Sequence, residues 1–150
     1  MKALTLTQPW ATLVAIGAKR IETRSWVTSY RGPLAIHAAK GFPKDVRSFS
    51  VNPMCYEAIK NHLTSWPSWM RSHIAYPLGA VLATCQLVAC VHVETLTNTT
   101  KREIYLTAQE RAFGNYDPGR YAWVLDNVQQ LAQPIPAKGA LGLWEWKEAS

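Results

Sequence analysis

The amino-acid sequence predicts a single α+β domain over residues 1–150, from the order of its strand-like and helix-like segments. Strand-like segments dominate both ends of the chain, and helix-like segments lie between them. Strands and helices do not alternate as in a parallel βαβ fold, and no internal repeat occurs. The 150 residues, of which 48% are hydrophobic and 17% charged, are typical of one folded domain.

The N-terminal segment predicts a strand followed by a helix. Apolar and hydroxyl side chains alternate from Ala3 to Thr7, as in a half-buried strand. Pro9 then suits the first turn of a helix. One face of this helix collects apolar or small residues at helical spacing, namely Trp10, Leu13, Val14 and Gly17. Gly17 provides a natural end for the helix.

A short strand with many ionisable residues follows. If Arg20–Arg24 is extended, Arg20, Glu22 and Arg24 share one side of the strand, and Ile21 points into the core. Lys19, at the turn before the strand, is then close enough to Glu22 for each to shift the protonation of the other. This stretch is the first candidate for a polar site.

The middle of the chain predicts one short strand and a helical insertion. Gly32-Pro33 marks a turn into the strand Leu34–Ala38. Prolines divide residues 40–77 into short pieces, which we interpret as helices over one face of the domain. One amphipathic helix is predicted from Tyr56, Ile59, Lys60 and Leu63, and a second short turn from Trp66–Met70.

The C-terminal part predicts three further extended segments. Gly79–Leu96 is too long for a straight strand and is expected to bend. Thr100–Ala112 is polar and rich in helix formers, and Gly114–Gly119 is a strong loop signal. The remaining strands are predicted at Arg120–Leu125 and at Leu141–Trp146.

Composition narrows the class of protein. The net charge of +6 favours a polyanionic partner, although the basic residues are scattered. The three cysteines, Cys55, Cys85 and Cys90, form no C-x-x-C pair and predict buried thiols in a reducing compartment. No secretory signal or membrane-spanning segment is recognisable, so we expect a cytoplasmic protein without a membrane partner. The sequence gives no indication of protein partners.

Gly17, Lys19, Glu22 and Arg24 reproduce the G-x-K-x-x-E-x-R signature of the ASCH family, a relative of PUA-type RNA-binding modules. The chain resembles small stand-alone bacterial members of this family in four further segments: Leu4–Ala11, Tyr30–Ala38, Gly119–Trp123 and Gly142–Trp144. The resemblance implies a small, partly open PUA-like β-barrel with flanking helices. The partner that it implies is a modified cytidine nucleoside or RNA.

One branch of the ASCH-like proteins hydrolyses N4-acylated cytidines with a lysine, a threonine three residues later and a downstream helical glutamate. Lys19 matches that lysine, and Glu110 resembles that glutamate. Glu22 occupies the threonine position, and Thr23 is one position off and should face the other way. We therefore expect water as the nucleophile, with Glu22 or Glu110 as the base and Lys19 stabilising the oxyanion or transferring a proton. No cofactor is expected.

Without the resemblance, Lys19 and Glu22 would be read as a surface ion pair worth well under about 1 kcal/mol. Glu110 would be read as a solvated helix residue. With the resemblance, we expect a partly exposed catalytic Lys19, so that Lys19→Ala should abolish turnover with little loss of stability.

Aromatic and basic residues around the predicted Gly114–Gly119 loop suit a nucleobase pocket or a single-stranded RNA groove. The candidates are Tyr116, Arg120, Tyr121 and Trp123, with Gln8, Trp10 and Arg24 as weaker companions, of which Trp10 is expected to belong to the core. Gln8 could read the edge of a base. Trp123 is equally explained as barrel core, and Arg24 as a structural ion-pair partner.

Histidines give little support for a metal site. His37 could approach the same cleft, whereas His62 and His73 are expected at the surface. His92 and Glu94 share one face of a predicted strand, but they could bind a metal only with two further ligands that the sequence does not identify. We assign no metal ligand. An RNA-binding module, or a metal-dependent ribonuclease of the kind known among ASCH proteins, remains the alternative to the amidohydrolase.

Overall fold

The computed structural model describes residues 1–50, 52–60, 76–97 and 106–148. Six strands and four α-helices occur in these ranges. The strands are β1 (Lys2–Leu6), β2 (Ile21–Arg24), β3 (Gly32–Ala38), β4 (Ala80–His92), β5 (Tyr121–Pro136) and β6 (Leu143–Glu145). The α-helices are α1 (Trp10–Ala15), α2 (Lys44–Ser50), α3 (Pro53–Lys60) and α4 (Ala108–Ala112), and a 3₁₀ helix covers Val93–Thr97.

The six strands form one mixed sheet in the order β2-β5-β4-β3-β1-β6. β1 and β3 are parallel, and the other neighbouring strands are antiparallel. The sheet is a half-barrel, which confirms the predicted α+β class and the partly open barrel. Helix α1 contributes Ala11, Val14 and Ala15 to the core cluster that the curved sheet encloses.

The N-terminal elements follow the sequence closely. The apolar face of α1 is buried, and the helix ends before Gly17, whose φ of 78° suits a residue without a Cβ atom. Burial alternates along β2, with Ile21 and Thr23 buried and Glu22 and Arg24 half-buried. The predicted alternation in this strand is therefore confirmed.

The later strands end at residues other than those predicted from the sequence. β4 bends through three register shifts against β5, but the chain leaves the strand at His92 and forms the 3₁₀ helix. β5 continues eleven residues past the predicted end at Leu125 and remains paired with β4 up to Pro136. Its outer part is polar and carries Asn127 at a φ of 48°, so apolar periodicity does not identify it. β6 is shorter than predicted.

The predicted helical insertion is present as α2 and α3. Cys55 and Ile59 of α3 pack with Leu13 of α1 and with Phe113, forming a second hydrophobic cluster. Leu63, the predicted turn at 66–70, and both His62 and His73 lie outside the described residues. None of the helices in the described ranges combines the length and the hydropathy of a bilayer-spanning segment.

The cysteines are free thiols. Cys55 and Cys85 are buried as predicted, and burial raises the pKa of the Cys55 thiol to about 11 and that of the Cys85 thiol to about 12. Cys90 is half-buried.

Candidate functional site

Strand β2 is an edge of the sheet, and this position creates the candidate site. One side of β2 pairs with β5, and the other side presents backbone groups without a strand partner. Charged side chains take that place. Lys19 Nζ donates to the Ile21 carbonyl, Arg120 Nη2 donates to the Thr23 carbonyl at 3.1 Å, and the Arg20 amide donates to Glu110 Oε1 at 2.5 Å.

Lys19 is completely buried, with 0% of its surface exposed. The expectation of a partly exposed lysine is therefore wrong, because the turn after α1 directs the side chain inward beneath β2. Its Nζ lies 3.7 Å from Glu22 Oε2 and donates to the backbone of Ile21. The interpretation of Lys19 and Glu22 as a surface ion pair does not hold either, since both side chains are largely shielded from solvent.

The Glu22 carboxylate joins two cations. Its Oε2 faces Lys19, and its Oε1 lies 3.4 Å from Arg24 Nε. Arg24 Nη2 also donates to the Thr5 carbonyl of β1 at 2.7 Å. Arg24 therefore connects the edge strand β2 with β1, across the open part of the half-barrel.

Glu110 reaches the same cluster from α4. Thr107 is the N-cap of this helix, and its Oγ1 accepts from the Glu110 amide at 3.1 Å. The Glu110 carboxylate accepts from the Arg20 amide, while its second oxygen is buried and has no hydrogen-bond partner in the part of the chain that the structure describes. Burial raises the pKa of the Glu110 carboxyl, and the Arg20 amide and the Lys19 charge partly oppose this shift.

A cavity of about 370 Å³ lies beside this cluster. Its lining residues are Trp10, Glu22, Thr23, Ala112, Phe113, Gly114, Asn115 and Arg120. Glu22 is the carboxylate among these lining residues, whereas Lys19 and Glu110 do not line the cavity. The volume is at the lower end of the range of about 300–1,000 Å³ that small-molecule sites occupy.

The loop after α4 lines one side of the cavity and packs close to Lys19. A Cβ atom on Gly114 would lie 2.8 Å from Tyr116 Cε2 and 3.5 Å from Lys19 Nζ, so the close packing requires glycine here. The Tyr116 hydroxyl is buried, and no residue in the described ranges forms a hydrogen bond with it. Burial raises the Tyr116 pKa, and the nearby carboxylates of Glu110 and Glu22 raise it further, so the phenol stays protonated.

Two of the predicted substrate-binding residues are buried in the protein interior. Trp123 is fully buried in the core and donates from Nε1 to the Trp26 carbonyl at 3.3 Å. Gln8 is fully buried and bonded to backbone at both ends of its amide, to Pro77 and to Thr12. Both side chains lie outside the cavity because packing and backbone bonds take them into the interior.

The other predicted substrate-binding residues divide between the cavity and its surroundings. Arg120 lines the cavity, and its Nε is buried without a hydrogen-bond partner. Tyr116 packs behind Gly114, and Arg24 is bonded to Glu22 and β1. Tyr121 packs against the core and against the His92 ring, with centroids 4.6 Å apart.

The two histidines that the structure describes, His37 and His92, do not join this site. His37 does not approach the cleft, because it is buried between Thr5 and the Ala137 carbonyl, where it lines a different cavity. Glu94 lies in the 3₁₀ helix and not on the strand face of His92, and its carboxylate accepts from the Gly119 amide at 2.5 Å. Within the described ranges, no cluster of three or more His, Cys, Asp or Glu side chains could hold a metal ion.

Sequence reasoning missed several parts of the cavity. Thr23 lines it despite its position on the opposite strand face, because the loop wraps around the edge of the sheet and the Asn115 amide donates to Thr23 Oγ1 at 3.2 Å. In the sequence, Gly114 and Asn115 indicated a loop and not a contact with the site. Their contacts depend on where α4 ends relative to β2, which local sequence does not encode.

The family model described as the ASCH domain matches residues 4–135. This chain belongs to the ASCH family. Activating signal cointegrator 1 from Homo sapiens is 27% identical over 144 residues, which cover 95% of this chain and 22% of the human protein. The Mus musculus protein is 27% identical over 142 residues, with the same coverage. This ASCH chain therefore matches about a fifth of the length of these relatives.

Crystal structures of ASCH from Zymomonas mobilis and of a mutant of that protein are also similar. Both are 18% identical to this chain and cover 90% of it, with TM-scores of 0.49 and 0.47. The alignments cover 72% and 74% of the Zymomonas mobilis chains.

Proposed function

We propose that this ASCH domain is an amidohydrolase that removes the acyl group from N4-acylated cytidine or a related nucleobase amide. The observation that carries the proposal is a buried lysine held against a carboxylate that opens into a small cavity. A buried ion pair costs desolvation energy, and its placement at a cavity is typical of a site that performs chemistry. The volume of about 370 Å³ suits a compact ligand.

Glu22 is the better candidate for the base, because it is the glutamate that lines the cavity. In the proposed step, Glu22 takes a proton from water while the water oxygen bonds to the acyl carbon. The tetrahedral intermediate then collapses, the bond from carbon to N4 breaks, and Glu22 returns the proton to N4. The products are cytidine and the carboxylic acid.

Cations around Glu22 would stabilise the negative charge that develops on the acyl oxygen. Arg120 reaches the cavity and has an Nε donor without a hydrogen-bond partner in the described structure. Lys19 supports the reaction from behind, with its charge 3.7 Å from the Glu22 carboxylate. We assign Glu110 a positioning role, because it holds the backbone at Arg20 where β2 begins.

The test is conversion of N4-acetylcytidine to cytidine, followed by absorbance with and without a chelator. We expect turnover by the wild-type protein and its loss in Glu22→Gln. Glu57→Gln, at an exposed position on α3, is the matched control and should be as active as the wild type. Absence of turnover by folded wild-type protein would contradict the proposal.

RNA binding is the second candidate function, and the net charge of +6 favours it. In that case, the affinity for a single-stranded RNA should fall steeply as salt concentration rises. A folded protein that binds RNA in this way but hydrolyses no acylated cytidine would support the second candidate.

A further inference from the structure

Two polar side chains of the cavity beside Glu22 have no part in the proposed reaction. Thr23 lies on β2, Asn115 lies in the loop after α4, and both line the cavity. The Asn115 amide donates to Thr23 Oγ1 at 3.2 Å, so the two residues adjoin. Because Thr23 also follows Glu22 in the chain, these three residues form one connected polar wall of the cavity.

The Thr23 hydroxyl has a proton to donate. Thr23 is buried, with 6% of its surface exposed. Its Oγ1 accepts from the Asn115 amide, and its own proton meets no acceptor in the ranges that the structure describes. A buried hydroxyl that accepts one hydrogen bond and donates none favours a ligand that supplies the missing acceptor.

The side chain of Asn115 presents donors as well. Its Oδ1 accepts from the Asp117 amide at 3.0 Å, and this bond fixes the orientation of the side-chain amide, because a backbone N–H group needs an acceptor. The two N–H groups on Nδ2 bind no acceptor among the described residues. Asn115 is exposed, so these donors are available to a ligand in the cavity.

Both residues are held in position by backbone bonds. Thr23 pairs with Ala122 of β5, and its carbonyl accepts from Arg120 Nη2 at 3.1 Å. Asn115 is fixed by its own amide on Thr23 and by its Oδ1 on the Asp117 amide. The donors are therefore in place before a ligand binds, which lowers the entropy cost of binding.

We propose that the polar wall recognises the pyrimidine ring of the acylated base: Thr23 donates to N3, Asn115 Nδ2 donates to O2, and Glu22 accepts from the N4–H group. N4-acylated cytosine carries one donor and two acceptors in this order along a single edge. In uracil, N3 carries a proton and O4 replaces the N4–H group, so two of the three contacts are lost. This inference rests on the proposed amidohydrolase function and names Thr23 and Asn115 as its specificity-determining residues.

The test is isothermal titration calorimetry of the full chain with cytidine and with uridine, because these nucleosides differ along the recognised edge and their binding requires no turnover. Thr23→Val removes the hydroxyl and keeps a branched side chain that suits a strand. Asn115→Asp keeps Oδ1 for the Asp117 amide and replaces the donor with an acceptor. The controls, Thr84→Val and Asn127→Asp, make the same changes outside the cavity.

We expect the wild-type protein to bind cytidine about tenfold or more tightly than uridine. In Thr23→Val this ratio should fall about three- to tenfold, because N3 loses its donor, and Thr23→Ser should restore it. In Asn115→Asp the affinity for both nucleosides should fall about tenfold, since both carry O2. The two controls should stay within about twofold of the wild type.

Wild-type protein that binds the two nucleosides equally, or binds neither, would overturn the inference. So would an unchanged affinity for both nucleosides in Asn115→Asp, which is expected to fold even where Thr23→Val does not, because Asn115 is exposed. Turnover of N4-acetylcytidine is measured on the same samples. Turnover without a preference for cytidine would overturn the specificity assignment alone, whereas selective binding without turnover would support that assignment and contradict the reaction.

Discussion

At the scale of single residues, Lys19 determines the electrostatics of the site. Its ammonium group is buried, and its neighbours are the Glu22 carboxylate and the carbonyl of Ile21. Burial of such a pair is expensive, and removal of Lys19 would leave the Ile21 carbonyl without this donor and Glu22 with Arg24 as its remaining neighbouring cation in the described residues. Lys19 is therefore expected to matter for folding as well as for chemistry.

We predict that Lys19→Met lowers the free energy of unfolding by about 3–5 kcal/mol. Methionine retains most of the side-chain volume, so the loss would come from the charge and its hydrogen bond. Urea denaturation measures the effect, and Lys44→Met at an exposed position is the control. A loss below about 1 kcal/mol, as for a surface pair, would contradict the description of Lys19.

For the Tyr116 hydroxyl we predict that its removal does not destabilise the folded protein. It is buried and has no hydrogen-bond partner among the described residues, so Tyr116→Phe removes a desolvated polar group and keeps the ring. The free energy of unfolding should stay unchanged or rise by up to about 1 kcal/mol, as measured by chemical denaturation. A clear loss of stability would show that the hydroxyl has a partner.

Glu110 should make stability depend on pH. Because its pKa is raised in the folded protein, the unfolded chain ionises first, and the folded state loses stability as the pH rises from below the usual glutamate pKa to above the raised one. In the variant Glu110→Gln this loss of stability is absent, because glutamine does not ionise. We predict that the free energy of unfolding of the variant, relative to wild type, increases with pH across this window. Denaturation curves at several pH values test this, and an opposite slope would be incompatible with a raised pKa.

Residue spacing alone predicted some contacts of the site and not others. The proximity of Lys19 and Glu22 follows from a turn and an extended strand, and the two side chains are close in the structure. The burial of Lys19 does not follow, because it depends on Gly114 and the loop after α4, about ninety residues away in sequence. Trp123 is similar, since only the packed sheet shows that its ring belongs to the core.

Among the secondary-structure elements, the edge strand β2 determines where the site forms. Within the described residues β2 has β5 as its one strand neighbour, side chains of Lys19 and Arg120 bind the Ile21 and Thr23 carbonyls, and Glu110 binds the Arg20 amide just before the strand. Such capping prevents pairing with other chains. It also gathers charged groups at one place, where the loop after α4 lines the cavity.

Helix α4 has only five residues, so its N-cap should be important for the position of Glu110. We predict that Thr107→Ala lowers the free energy of unfolding by about 1 kcal/mol, because the Glu110 amide loses its acceptor. Thr107→Ser retains the oxygen and serves as the control. Equal stability of the alanine and serine variants in thermal melts would argue against this cap.

Apolar periodicity predicts the elements that are buried on one face and fails where an element is mostly exposed. It identified α1, β2 and β3, whose inward residues are apolar. The outer half of β5 is polar and held by its pairing with β4, so the sequence predicted its end too early. The turn from β4 into the 3₁₀ helix also lacks a local signal.

At the scale of the whole molecule, Arg24 connects features that are distant in the sheet. It binds Glu22 on β2 and the Thr5 carbonyl on β1, and Thr5 also lines the cavity beside His37. The family signature therefore contributes to the architecture of the half-barrel as well as to the site. The sequence predicted the family and the fold, but the cavity beside His37 arises from strand ends that meet only in the folded sheet.

The central claim is that Glu22 acts as the base for amide hydrolysis, with Glu110 in a supporting role. The most direct test is kcat/KM for N4-acetylcytidine, measured side by side for wild type, Glu22→Gln and Glu110→Gln after a check that each is folded. We predict a loss of about 10²–10⁴-fold in Glu22→Gln and a much smaller loss in Glu110→Gln. Turnover by Glu22→Gln that equals the wild-type turnover would contradict this assignment. So would the absence of turnover by the wild-type protein.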